Sequence, residues 1–270
     1  KQVQVMHDYR TTVLTALPSD AVRLAAELEQ ADLGPRGLWL QVALLGGEPW
    51  PETVRAEIEE RLGVRAVDNY GVRVAAWPGF ASECEAREGL HVNEDHFLAE
   101  IVDPETLQPL PPGSEGELVI TTLEKEALPV IRYRTGDTCA MITEPCSCGR
   151  TLARVTRPSR RTDQTIVVRG ISIQPQAIGR AVERVLGVST ERQIAVGERS
   201  YDDVEVRVAV PAQQADSERG LIELSRRRAD LERELAALLG LTVRVSIVER
   251  SSLEGPQGAP LAVVDMRGSR

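Results

Sequence analysis

Hydrophobic and polar positions along the chain change period twice. Residues 3–15 alternate as a strand does and lead through Leu17-Pro18-Ser19 into a helical pattern, with Ser19 the expected N-cap and Ala21, Leu24, Ala25 and Leu28 the apolar stripe. Residues 38–45 form a nearly continuous apolar run closed by Gly46-Gly47, the pattern of a strand buried on both faces of a parallel sheet. Glu48-Pro49-Trp50-Pro51 then opens a helix with Val54, Ile58 and Leu62 on one stripe and Gly63 as its stop. Residues 64–69 are the next strand. Strand, helix, strand in this order predicts a parallel crossover, with the loops at residues 46–50 and 69–72 on the edge where α/β proteins bind ligands.

From about Phe80 the pattern becomes one of short strands and turns. Strands are expected over residues 97–102, 117–122, 130–134 and 138–143, and turns at Asp103-Pro104-Glu105-Thr106 and Pro111-Pro112-Gly113-Ser114. After residues 161–164 the pattern resets. A strand (165–168), a helix from Pro175, strands at 193–196 and up to Val210, a long helix and a last strand (242–248) make a β-α-β-β-α-β unit. Leu221, Leu224, Leu231, Leu235 and Leu238 of the long helix recur at three-and-four spacing and are expected in the core.

One stretch concentrates chemistry. In Val130-Ile131-Arg132-Tyr133-Arg134-Thr135-Gly136-Asp137 the apolar pair can bury, the arginines share a face, and Gly136 permits the turn that sets Asp137 at the strand's end. A carboxylate there accepts two hydroxyl hydrogen bonds, as a ribose offers. The competing reading is an Asp paired with a neighbouring Arg.

Composition narrows the partners. At 270 residues the chain suits a larger and a smaller domain, and the net charge of −9 with no basic run argues against nucleic acid or an anionic membrane. Small molecules or proteins remain. There is no bilayer-spanning apolar run and no signal-peptide pattern at Lys1, so a cytoplasmic location is expected, for a chain that is a cut, processed or partial form.

Four cysteines stand out. Cys146-Ser147-Cys148-Gly149 is a Cys-x-Cys turn; Cys84 and His91 lie seven residues apart upstream. Together they supply the donors of a tetrahedral structural zinc, with buried inert cysteines the equal alternative and His96 a rival ligand. Cys139 reads as a buried strand residue.

The assembled motifs resemble a family. Gly47-Glu48-Pro49-Trp50, Asn69-Tyr70-Gly71, Glu83-Cys84-Glu85, Gly89-Leu90-His91, Glu94-Asp95-His96, Glu126-Ala127-Leu128-Pro129, Arg132-Tyr133-Arg134-Thr135-Gly136-Asp137, Cys146-Ser147-Cys148-Gly149-Arg150 and Val168-Arg169-Gly170 are similar, in order, to those of the phenylacetate-CoA ligases, AMP-forming, adenylate-forming enzymes. The resemblance implies part of the large α/β domain over residues 1–160, its parallel sheet joined to a zinc-clasped β subdomain (about 80–160). A hinge at 161–164 and a small α+β C-terminal domain at 165–270 complete the implied fold. It implies that such an enzyme joins an acid to AMP, passes the acyl group to coenzyme A, and swings its small domain between the steps. Gly47, Glu48 and Pro49 would border the adenine, Tyr70 would stack near it, Asp137 would hold the ribose, and Arg161 would join them from the hinge. Cys84, His91, Cys146 and Cys148 become the expected zinc ligands. AMP, ATP or coenzyme A are the expected small molecules, and a protein partner or a second copy of the chain the other partners.

Three departures follow. No Ser/Thr/Gly-rich phosphate loop is present, Val74 stands where the family has a magnesium-binding Glu, and Ala259 stands where it has the catalytic lysine. A degenerate, adenylation-deficient homologue is therefore expected, with no catalytic residue assigned. The alternatives are a working acyl-CoA ligase whose N-terminal half is elsewhere and a plain zinc-stabilised binding module.

Overall fold

The computed structural model describes residues 1–31, 34, 37–187, 190–210, 218–253 and 263–267. These divide into two compact units, Lys1–Asp163 and Gln164–Arg270.

The first unit runs α1 (Gln2–Asp8), β1 (Val13–Ala16), α2 (Pro18–Gln30), β2 (Val42–Leu45), α3 (Glu52–Leu62), β3 (Arg65–Val72), β4 (Ala76–Glu83), β5 (Leu90–Val92), β6 (Phe97–Val102), β7 (Glu115–Thr122), β8 (Tyr133–Ile142), β9 (Arg154–Val155) and β10 (Arg160–Arg161). One sheet holds its ten strands in the order β1-β2-β3-β4-β5-β9-β8-β7-β6, with β10 paired to β8. β1, β2 and β3 are mutually parallel and the remaining pairs antiparallel, so β3 joins the α/β part to the β-rich part. Ala21, Leu24, Ala25 and Leu28 of α2 and Val54, Ile58 and Leu62 of α3 are buried, as the helical spacing requires. Gly63 ends α3 in the left-handed conformation (φ 64°). Phe80, Leu90, Val92, Leu118 and Ile120 form the core of the β-rich part. Truncating Phe80, which is fully buried, would cost about 3–5 kcal/mol.

Four local expectations change. The alternation over residues 3–15 is split between α1 and β1, because Val3 and Met6 also satisfy an i, i+3 stripe and Met6 is buried. Ser19 does not cap α2. Pro18, with its backbone angle preset, takes the first turn one residue earlier, and Leu17 occupies the N-cap. The expected strands 130–134 and 138–143 are one strand, β8, since Gly136 (φ 77°) forms a bulge where the β7 register shifts, and pairing continues through it. Ile131, expected in the core, lies before β8 and is 81% exposed.

The second unit opens with a hairpin of β11 (Ile166–Val168) and β12 (Ile171–Ile173). It continues as α4 (Pro175–Leu186), β13 (Arg192–Val196), β14 (Val204–Ala209), α5 (Glu218–Leu239), β15 (Arg244–Val248) and β16 (Val263–Asp265). Its sheet order is β15-β14-β13-β16, with Ile178, Val182, Val206, Leu231, Leu235 and Val245 in its core. The expected first strand therefore pairs in the hairpin, and the sheet position is filled by β16, whose Val263-Val264-Asp265 is too short to announce a strand. Leu224, Leu231 and Leu235 are buried, but Leu238 is half exposed at the end of α5; the Leu221 side chain lies outside the described residues.

Candidate functional site

The edge formed by the ends of β2 and β3 is built by close backbone contact. A Cβ at Gly46 would meet the Asn69 carbonyl oxygen at 1.9 Å, so only glycine lets β2 finish there, and Gly47 follows at φ 86°. Glu48 turns its buried carboxylate inward, where Oε1 accepts the Ser19 N–H of α2 at 2.7 Å. That bond satisfies a free donor in the helix's first turn and places negative charge at its positive end. Pro49 leads to Trp50, which is buried.

Tyr70 on β3, Asp137 on β8 and Arg161 on β10 converge across the sheet. The Tyr70 hydroxyl donates to Asp137 Oδ2 at 2.6 Å, and Arg161 Nη1 donates to Oδ1 at 2.6 Å. Arg161 also reaches the Thr135 carbonyl and the Asp163 carboxylate. Asp137 is thus not at an exposed strand end: the bulge keeps β8 running, and the carboxylate is 8% exposed and paired with an arginine 24 residues away. Burial pushes its carboxyl above the usual Asp range against the pull of Arg161 and Tyr70. The Tyr70 hydroxyl is raised well above its ordinary value by burial and by the charge of Asp137. An open cleft of about 780 Å³ borders the same strand, with Glu117, Arg134, Gly136, Arg160 and Arg161 in its walls.

A second cluster lies in the β-rich part. One donor atom each from Cys84, His91, Cys146 and Cys148 falls within a sphere where all lie within 4.8 Å of one another. Cys84 Sγ is 3.5 Å from Cys146 Sγ, and His91 Nε2 is 3.5 Å from Cys148 Sγ. The turn carrying Cys146 and Cys148 is tied down by Glu88, which accepts from Ser147 N at 3.1 Å and Oγ at 3.0 Å. The Arg150 backbone N–H helps hold the Cys148 thiol down at about 7. Against the pull of the Cys148 backbone N–H, burial and the neighbouring Cys148 and Cys84 push the Cys146 thiol up to about 11. Burial with nearby Arg154 and Arg150 lowers the His91 ring below its ordinary value. A thiolate and a neutral imidazole are the forms zinc binds, so the donor set fits a tetrahedral Cys₃His ion. Burial pushes the Cys139 thiol, outside this cluster, up to about 12. His96 is exposed and faces Glu124, also outside it.

Sequence reading missed the charge network behind the loop at 46–50. Arg55 is 2% exposed and grips both oxygens of Glu83 at 2.8 Å, while Arg157 donates to Asp68 at 2.6 Å and to the Trp50 carbonyl at 2.7 Å. Arg55 falls three and seven residues before Ile58 and Leu62, on the buried stripe. A cation at a core position demands a buried counter-ion, and that was the available signal.

Where the resemblance expects a magnesium carboxylate, the backbone of the β3–β4 turn is held instead by Lys125, whose Nζ donates to the Val74 carbonyl at 2.6 Å and the Ala75 carbonyl at 3.1 Å. Ala259 lies outside the described residues.

A family model for AMP-binding enzymes matches residues 1–123, and one for the AMP-binding enzyme C-terminal domain matches residues 170–267. The chain belongs to the AMP-binding enzyme family. It is 36% identical to the phenylacetate-coenzyme A ligase of Thermus thermophilus, covering 99% of this chain and 63% of the relative. To that of Escherichia coli it is 35% identical, covering 99% and 61%. The chain thus spans less than two thirds of the length of these curated relatives. Among solved structures, 2-hydroxyisobutyryl-CoA ligase in complex with 2-HIB-AMP and CoA superposes with a TM-score of 0.82 at 25% identity, over 98% of this chain and 56% of that one. The amide bond synthetase McbA of Marinactinospora thermotolerans, at 18% identity and a TM-score of 0.64, shares the fold. The AMP-binding enzyme fold, a mixed parallel and antiparallel sheet followed by a small α+β unit, is therefore that of this chain. Among the described residues no helix is long and apolar enough to cross a membrane.

Proposed function

We propose that this chain is a phenylacetate-CoA ligase-like protein that binds an adenine nucleotide or coenzyme A and does not itself join an acid to AMP. The contrast between its binding and reacting positions supports this reading. Tyr70, Asp137 and Arg161 meet within hydrogen-bond distance, and Gly47, Glu48 and Pro49 form a fixed loop, while valine and alanine stand at the two charged positions the adenylation chemistry needs. Val74 cannot ligate a hard cation, and Ala259 cannot stabilise charge building on phosphate. Each loss removes roughly 3 kcal/mol of transition-state stabilisation, so the two together slow the step by about 10⁴-fold. In a biosynthetic setting such a chain would serve as a partner, or as an acyl-, CoA- or nucleotide-binding protein. Calorimetry with AMP, ATP and coenzyme A, beside pyrophosphate exchange over a panel of aryl and fatty acids, tests it. Binding without acid-dependent exchange is expected; clear exchange by this chain alone overturns it.

The same reading includes one structural zinc held by Cys84, His91, Cys146 and Cys148, which joins β4 and β5 to the turn before β9. It also makes residues 161–164 the hinge of a separate small domain. Limited proteolysis with a low-specificity protease should cut at this polar run first; an intact 161–164 segment beside cuts elsewhere overturns the hinge.

A second reading, a working acyl-CoA ligase whose remaining part is supplied by further chain, is favoured by the 60–63% coverage of the curated relatives. Exchange that appears on adding that part, and vanishes with Asp137→Ala, supports it.

A further inference from the structure

Trp50, at the foot of the Gly46-Gly47-Glu48-Pro49 loop, has two guanidinium groups over its ring. The Arg55 guanidinium carbon is 4.6 Å from the ring centroid and that of Arg157 5.1 Å. Neither arginine is free to move. Arg55 donates to the Ala66 carbonyl at 2.8 Å, takes both Glu83 oxygens, and pairs through Nε with Glu52 at 2.9 Å. Arg157 uses its whole fork: Nε to Asp68 at 2.6 Å, Nη1 to Glu52 at 2.6 Å and Nη2 to the Trp50 carbonyl at 2.7 Å. Asp68 N–H in turn donates to Glu83 at 2.8 Å.

We propose that Arg55 and Arg157 are positioning residues for the nucleotide loop, a role that rests on the nucleotide-binding reading above. Three carboxylates, Glu52, Asp68 and Glu83, face two guanidinium groups. Burial, with a smaller push from Glu83, leaves Asp68 raised above its ordinary range against the pull of Arg157. What holds both arginines is their set of charge-assisted bonds to these carboxylates and to the Ala66 and Trp50 carbonyls. Arg55 is the floor, fixed to β3 and β4. Arg157 is the clasp, the contact that fixes a loop backbone atom directly. Because Glu83 ends β4 and precedes Cys84, the same network ties the loop to the strand that leads into the first cysteine of the donor cluster. A planar fork making three separate bonds cannot be replaced by a lysine, whose point charge reaches one of these acceptors at a time.

The test separates loop placement from nucleotide binding. In a Trp39→Phe, Trp77→Phe background Trp50 is the sole tryptophan. Its emission should be shielded from acrylamide in the parent and quenched about threefold more efficiently in both Arg157→Met and Arg157→Lys. AMP affinity should drop about tenfold in both, and the preference for AMP over GMP should narrow, which a general loss of stability would not produce. Arg61→Met is the control: it removes a surface arginine paired with Glu29 and Glu57, and should leave quenching and the AMP-to-GMP ratio unchanged. Unchanged quenching in both Arg157 variants, or changed quenching with an unchanged ratio, or full rescue by lysine, overturns the proposal. A parent that binds neither nucleotide refutes the nucleotide reading instead, and with it the functional half of the proposal, while quenching still decides whether the arginines hold the loop.

Discussion

Chelation tests the zinc proposed to cross-link the β-rich part. Cys84 and Cys146 are 62 residues apart, so an ion holding both in the folded chain closes a loop of that size. Treated as a covalent cross-link, a loop of that length is worth about 4 kcal/mol in chain entropy. The contacts that remain without the ion are few at this point: β5 and β9 are strands of three and two residues, paired through two residue positions. For the unit of residues 1–163, roughly 2–4 °C per kcal/mol predicts a fall in melting temperature of about 8–16 °C on metal removal.

The assay is elemental analysis of protein purified without chelator, followed by thermal unfolding with and without a strong chelator, for the parent and for Cys146→Ser. One zinc per chain is expected, with the chelated parent and the variant melting at similarly lowered temperatures. Cys139→Ser is the control, since that thiol lies in the core outside the cluster and its replacement should leave zinc content at one. Absence of metal, or a shift below about 2 °C on chelation, refutes the reasoning, because the loop-entropy estimate has no room for so small an effect.

Two further outcomes follow from the ion pairs. Arg161→Met leaves the Asp137 carboxylate with Tyr70 as its remaining side-chain partner; since Arg161 is 23% exposed, the cost should be about 2 kcal/mol, below the range for a fully buried pair, by chemical denaturation. No change in the denaturation midpoint would show that solvent replaces the arginine freely. In the second unit, burial favours the neutral Glu205 carboxyl, but Ser246, Glu198, Arg207 and Arg244 together hold it below its ordinary value of 4.5. Its contribution is then complete above that value and is lost as pH falls through the lower folded value, so Glu205→Gln should flatten the acid limb of the unfolding curve below about pH 4.5. A variant with an unaltered acid limb overturns the assignment.

Elements whose residues decide their own conformation were legible in the sequence. Pro51 and Gly63 punctuate α3, and the stripe of Val54, Ile58 and Leu62 dictates its buried face, so its start and end follow from three residue types. Cys84, His91, Cys146 and Cys148 were legible as four soft and borderline donors, but buried inert cysteines were an equal alternative and His96 a rival until the strands brought the four together. What could not be read depends on partners distant in sequence. Gly136 marks a turn or a bulge equally well, and only the register of β7 against β8 selects the bulge. Ser19 has the chemistry of an N-cap, yet Pro18 and the distant Glu48 carboxylate move the helix start past it. Arg157 looks like a surface residue until Asp68 and Trp50, about 90 and 107 positions earlier, are brought beside it.

Asp137 combines both situations and yields the last prediction. Its type and its Gly-Asp context allow either a hydroxyl-binding carboxylate or one paired with an arginine, and the structure shows each oxygen already accepting one bond, from Tyr70 and from Arg161. An ionised carboxylate offers about four lone-pair positions, so two remain, the number a ribose diol needs. The residue can therefore hold nucleotide without releasing its internal partners, provided it is charged. Burial raises its pKa, and the two donors oppose that rise. Because only the charged form accepts both hydroxyls, AMP affinity should weaken as pH falls, with the decline beginning at a higher pH than the ordinary Asp value of 3.8 would give. Tyr70→Phe removes one of the donors that lowers the pKa, so its decline should begin at still higher pH. Calorimetric titration of AMP at a series of pH values measures both onsets. An affinity that stays flat until the ordinary Asp range is reached, or a Tyr70→Phe onset shifted downward, would show that Asp137 does not carry the ribose.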